Sequence, residues 1–251
     1  MTRNLLLAAV AVLALSAGTA QAAPSSEVAA AVADKARPEA DTKRDADRKP
    51  AEMLEFAEVK AGQTVADFLP SGGYFTRIFS KTVGPEGVVY AVINAPPPNP
   101  APDAKPNPII AVAADPAYGN IKVVQASFQT LALPTQADVI WTAQNYHDLH
   151  LARFNLDVPA VNKAVYAALK PGGLYIVLDH AALAGAPLDT ADKLHRIDPA
   201  IVKSELAAAG FVYEGESTLL RNTTDDHTKG VFDPSLRGHT DQFIFKFRKP
   251  K

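Results

Sequence analysis

Two short stretches of this chain carry side chains that could do chemistry. The first is Asn145-Tyr146-His147-Asp148-Leu149-His150, which brings two imidazoles and a carboxylate close together in sequence. Free imidazole titrates at about pH 6.5, so His147 is a candidate general base for an acceptor hydroxyl, with Asp148 to orient it. The same side chains could equally serve to satisfy loop backbone groups. A metal reading would join His147, Asp148 and His150, with His180, but that set matches no established ligand spacing, and no metal is expected. The second stretch is Asp67-Phe68-Leu69-Pro70-Ser71-Gly72-Gly73, an acid followed by two glycines. Glycine lets backbone approach a ligand closely, and a helix that follows offers free N–H groups to an anionic or polar group. A plain tight turn needs the same residues. The pattern G-x-G-x-x-G is absent, which disfavours a nicotinamide-dependent reductase. His195, His227 and His239 read as surface or loop residues.

These stretches need elements to hold them. Gln63–Leu69 reads as a short strand, Tyr74–Val83 as a helix with Phe75, Ile78, Phe79 and Val83 on one side, and Val88–Ile93 as a strand, which makes one βαβ unit. Asn120–Gln125, Ala137–Thr142 and the apolar Leu174–His180 are further strands, with helices at Val158–Leu169 and Ala200–Ala209. Asp198 is placed to cap the last of these, with Pro199 in its first turn. Phe211–Leu220 and Asp241–Arg248 have no helix between them and are expected to pair antiparallel at one edge. Trp141 and the alternating Phe243, Phe245 and Phe247 read as core. An open, mainly parallel α/β sheet with helices on both faces follows, and its ligands sit beyond the C-terminal strand ends. Asp67, His147 and the pair Asp179-His180 all fall at such ends.

Composition narrows the classes. The 251 residues hold 25 Lys+Arg against 27 Asp+Glu, so no basic excess exists for a nucleic-acid partner. Absence of cysteine excludes thiolate zinc sites, iron–sulfur clusters and cysteine nucleophiles. Residues 1–22 have the layout of a secretory signal peptide: Arg3, an apolar run from Leu5 to Leu15, then Ala20-Gln21-Ala22 as a cleavage site. The expected destination is periplasmic or secreted, with no membrane attachment after cleavage. Residues 23–44 read as an exposed lead-in and 45–251 as the main domain, opening on a helix at Ala51–Val59 with Asp45 or Asp47 as its cap. Of 20 prolines, seven lie between Pro96 and Pro108, a loop leaning to polyproline II directly after the second strand.

Asp67–Thr76, Val89-Tyr90-Ala91-Val92, Ala137–Trp141 and Leu169-Lys170-Pro171-Gly172-Gly173, in this order, resemble a class I S-adenosylmethionine-dependent methyltransferase. The first loop is similar to that of methyltransferase-like proteins that are often exported. The resemblance implies a Rossmann-like seven-stranded sheet, mainly parallel, with an antiparallel C-terminal edge strand. It implies S-adenosylmethionine as cofactor and methyl transfer to a small-molecule acceptor. Asp67 with Pro70, Ser71, Gly72 and Gly73 would border the cofactor's methionine part. Ile93 or Asn94 would face the ribose, where an acid is usual, and Ser127 and Phe128 the adenine. Gln144, Asn145 and Tyr146 would approach the sulfonium and the acceptor. The uncharged Asn94 and the export signal also suit a second reading, a non-catalytic periplasmic ligand-binding protein on the same scaffold.

Overall fold

The computed structural model describes residues 23–96, 99 and 103–251; residues 1–22, expected to be a signal peptide, and part of the proline loop lie outside them. In chain order the helices and strands are α1 (Ser26–Val32), α2 (Glu39–Thr42), α3 (Asp45–Arg48), α4 (Pro50–Phe56), β1 (Thr64–Phe68), α5 (Tyr74–Val83), β2 (Val88–Asn94), α6 (Pro108–Ala114), β3 (Ile121–Ala126), β4 (Ala137–Ala143), α7 (Val158–Ala168), β5 (Leu169–His180), α8 (Thr190–Leu194), α9 (Pro199–Ala209), β6 (Val212–Ser217) and β7 (Gln242–Arg248). A single-turn 3-10 helix at His147–His150 follows β4.

The seven strands form one sheet in the order β3-β2-β1-β4-β5-β7-β6. β3 through β5 are mutually parallel, and β7 runs antiparallel to both β5 and β6. The expected antiparallel pair is present; its antiparallel member, β7, lies one place in from the edge. The order reverses between β1 and β4, so the crevice opens above the ends of those strands.

Strand alternation sorts the side chains onto two faces. Val65, Val139, Trp141, Ile176 and Ile244 join one core, covered by α1, α4, α5 and α6. Ala66, Ile140, Tyr175, Val177, Phe243, Phe245 and Phe247 join the other, covered by α7 and α9. Trp141 is fully buried against Phe75 and Phe79, at ring-centroid distances of 4.7 and 5.7 Å.

Helix ends follow local chemistry. Asp198 caps α9 by accepting from the Ala200 N–H, and Gly210 closes it at φ 103. At α4 the expectation fails. Lys49, in the left-handed region, stands at the N-cap without a side-chain capping bond, while Asp45 and Asp47 start α3 instead. The reason is a stronger competitor. Asp45 accepts two bonds from the Arg37 guanidinium, at 2.7 and 2.8 Å, and one from the Tyr74 hydroxyl at 2.6 Å.

The lead-in also differs from its expected exposure. Many of its residues face solvent, but Val28 and Ala31 are buried in the core shared with Met53, Ile78 and Phe79, and Arg37 is buried with them. Its helices lie over α5, tied by Arg77 to Asp41 at 3.1 Å and Lys81 to Asp34 at 3.6 Å. Trp141→Ala is expected to lower stability by about 3–5 kcal/mol, read as a reduced urea midpoint, because the cavity would lie between sheet and α5.

Candidate functional site

The crevice is built on the β1 turn. The backbone at Leu69, Ser71 and Gly73 has φ of 62, 50 and 81, so alternate residues take the left-handed region. Such strain is held only where surroundings over-determine it, and here Asn145 does so. Its side-chain N–H donates to the Leu69 carbonyl at 2.6 Å, and its oxygen accepts from Thr142 at 3.2 Å. Asn145 is therefore a buried brace for the loop, not the ligand-facing group expected of it.

Asp67 is buried at the β1 end and accepts from the Thr76 hydroxyl at 2.6 Å. Burial pushes its carboxyl up to about 7, against the pull of Thr76 and Arg48. Arg48, unremarked in the sequence, reaches into the crevice from α3. It donates to Gln144 Oε1 at 2.8 Å and lies 4.4 Å from the Tyr74 ring centroid. Burial, followed by nearby Arg44, lowers the guanidinium to about 10, which leaves it charged at neutral pH. Gln144, at φ 62, also donates to Gln242 at 2.9 Å. The Arg48–Gln144 pair divides the crevice in two. A cavity of about 170 Å³ is lined by Asp41, Asp67, Pro70, Ser71 and Gly72 on the β1 side. One of about 470 Å³ is lined by Asp47, His180, Phe232, Arg237 and Gln242 on the β5 side, and Arg44, Arg48 and Gln144 border both.

The remaining expected residues separate. Asn94 is exposed at the end of β2, beside Ala126 of β3, and Ser127 is exposed just after it. Phe128 is buried against Phe68 at 4.7 Å, so its ring belongs to the core rather than to an adenine contact. Tyr146 turns away from the crevice. It is buried, donates to Glu205 at 2.8 Å and accepts from Asn162 at 2.8 Å, because the alternation after β4 sends it toward α7 and α9.

His147 is buried, and its orienting acid is Asp179 of β5 rather than Asp148. Nδ1 lies 2.8 Å from Asp179 Oδ1, and the His147 backbone N–H donates to Oδ2 at 2.7 Å. Burial opposes charge on both partners, yet each favours the other's ionised form: the His147 pKa is raised and that of Asp179 lowered. On the far side of the ring, Nε2 meets Asp148 Oδ1 and His195 Nδ1, each at 3.3 Å. His195, read from sequence as a bland loop residue, is thus part of the cluster. It stands 48 positions away with no local motif to mark it. His150 pairs with Glu205 at 3.1 Å, and His180 with Thr240 at 2.7 Å, so neither joins. Burial pushes His180 down to about 4, leaving it neutral.

No family model matches this chain, and no curated protein sequence does. Solved structures do resemble it. An S-adenosylmethionine-dependent methyltransferase from Aquifex aeolicus is 18% identical with TM-score 0.55, over 80% of this chain and 89% of that one. An arsenic(III) S-adenosylmethionine methyltransferase from Chlamydomonas reinhardtii is 18% identical at TM-score 0.55, over 91% and 75%. A Burkholderia thailandensis 1,6-didemethyltoxoflavin-N1-methyltransferase, solved with its substrate and S-adenosylhomocysteine, is 14% identical at TM-score 0.55, over 85% and 82%. The fold is that of the class I S-adenosylmethionine-dependent methyltransferases.

Two glycines of the β1 turn make a matched test. A Cβ on Gly73 would lie 2.9 Å from Ile109 Cδ1 at positive φ, whereas one on Gly72 would meet nothing within 4 Å. Gly73→Ala is expected to cost about 1–3 kcal/mol and Gly72→Ala under about 0.5 kcal/mol, compared by urea unfolding.

Proposed function

We propose that this protein transfers the methyl group of S-adenosylmethionine to a small-molecule acceptor, after export to the periplasm or beyond. The observation that carries the reading is the β1 turn: a buried carboxylate at Asp67 faces a loop whose backbone is forced open at alternate residues. These groups fit the cofactor. Asp67 suits a cationic end, and the exposed loop backbone at Ser71 and Gly72 offers close approach. Along the sheet order, the exposed Asn94 and Ser127 at the ends of β2 and β3 suit the adenosine end, and the β5-side cavity suits the acceptor. Arg44, Arg48 and Arg237 border that cavity against a single acid, Asp47, so an acceptor with an anionic group is favoured.

When bound, the cofactor supplies an electrophilic methyl on a sulfonium. The chain's contribution is alignment: Asn145 fixes the turn, and Arg48 and Gln144 stand between the two cavities. His147 and Asp148 are the proposed proton-accepting groups, with Asp179 holding the imidazole tautomer through Nδ1. The second reading, a binding protein without turnover, is favoured by the Arg48 guanidinium occupying the divide.

Titration calorimetry on the mature protein is expected to show one S-adenosylmethionine or S-adenosylhomocysteine per chain. Absence of saturable binding at millimolar ligand removes the proposal, and binding without methyl transfer to any acceptor supports the second reading. Asp67 adds a pH signature. Its folded pKa is raised, so the stability its protonated form contributes is lost as pH rises from its ordinary value through about 7. Cofactor affinity runs the other way, since the cationic end needs the carboxylate. Affinity is expected to fall as pH drops through about 7, and Asp67→Asn is expected to flatten that dependence.

A further inference from the structure

We propose that His147, Asp148 and His195 form a binding site for one divalent transition-metal ion of the zinc type. The three donor atoms converge: His147 Nε2 is 3.3 Å from both His195 Nδ1 and Asp148 Oδ1, and the latter two are 3.9 Å apart. A tetrahedral zinc ion with bonds of about 2.0–2.1 Å holds its ligands about 3.3 Å from one another. Two of the three edges already have that length, and the third closes with a small side-chain rotation. Among the described residues, no other group of His, Asp or Glu side chains brings three donors together in this way.

The surroundings are those of a ligand set. Asp179, fully buried, engages His147 Nδ1 and thereby turns the Nε2 lone pair toward the other two donors. A carboxylate behind a histidine in this manner fixes the ligand's tautomer and raises its basicity. His195 is held at φ 54, unusual for a residue with a side chain, at the end of α8. α8 is in turn fastened to the segment after His150 by Asp192, which accepts from the Ala152 N–H at 3.2 Å. The strained backbone thus presents its imidazole to a partner on a different loop.

Three protein donors leave one tetrahedral position free. Asp148 and His195 are each about a quarter exposed, so that position faces solvent, as in sites that take a water or a substrate atom rather than closed structural ones. The site also adjoins the β5-side cavity. Phe232, which lines the cavity, packs on the His195 ring at 5.0 Å. The site rests on side-chain geometry and is independent of the methyl-transfer reading. With an ion bound, His147 would serve as a ligand rather than as a base, and a water in the free position would ionise more readily to hydroxide, which could accept a proton in its place.

The test is calorimetric titration of chelator-treated mature protein with Zn²⁺ alone, without S-adenosylmethionine. One ion per chain is expected. His195→Ala and Asp148→Asn, both at partly exposed positions, are each expected to weaken binding at least about tenfold with unchanged circular dichroism. His239→Ala, outside the cluster, is expected to bind as the parent does. Co²⁺ loading adds a second readout: intense visible absorption of a tetrahedral site in the parent, lost in His195→Ala. No saturable uptake, or uptake unaffected by His195→Ala, overturns the proposal.

Discussion

Asp179 sits at the end of β5 with no access to solvent, and a carboxylate there is costly unless its lone pairs are used. They are used beneath the crevice. One oxygen accepts from the His147 backbone N–H; the other meets His147 Nδ1 and accepts from the His180 N–H. A single side chain thereby fixes the loop after β4 against the end of β5, and with it the direction of the His147 ring. It also sets two histidines apart. His147 shares its charge with the carboxylate, while His180, desolvated and bonded to Thr240, stays neutral.

The rest of the crevice is arranged around that fixed wall by the sheet order. β1 brings the buried Asp67 and the strained turn, β4 brings Gln144 and Asn145, and β5 brings Asp179 and His180. The return loop between β6 and β7 forms the outer rim. Its anchor is a fully buried ion pair, Arg196 to Asp225 at 2.9 Å, in which Arg196 also donates to the carbonyls of Ala181 and Lys229. A buried pair so fully hydrogen-bonded specifies one arrangement of the loop, which is what places Phe232 and Arg237 on the cavity.

The sheet was legible in the sequence by two different traces: Phe243, Phe245 and Phe247 alternate with period two, while Leu174–Leu178 is a continuous apolar run because that strand is buried on both faces, and Asp198-Pro199 marks its helix start by local chemistry. The crevice was legible only where residues are local to a strand end: Asp67, the β1 turn, Gln144, His147 and Asp179. What was missed is non-local. Arg48 meets Gln144 across 96 positions and His195 meets His147 across 48, and neither carries a motif. Tyr146 and Phe128 were misplaced for a related reason. One residue's shift after a strand decides whether a side chain faces crevice or core, and the sequence marks the strand end only to within a residue or so.

The helices that roof the crevice are attached by apolar burial and by polar contacts together. Beside the buried Val28 and Ala31, the contacts to the body include the ion pairs Arg77 to Asp41 and Lys81 to Asp34 and the hydrogen bonds of Tyr74 to Asp45 and Arg48 to Gln144. The more exposed of these pairs weaken as dissolved ions screen them, over a distance of about 8 Å at physiological ionic strength, whereas the apolar sheet beneath does not. The roof and the sheet therefore answer to different solution variables. Dissolved salt reaches Lys81–Asp34, the more exposed of these ion pairs, before it touches Arg77–Asp41 or the packing of the sheet.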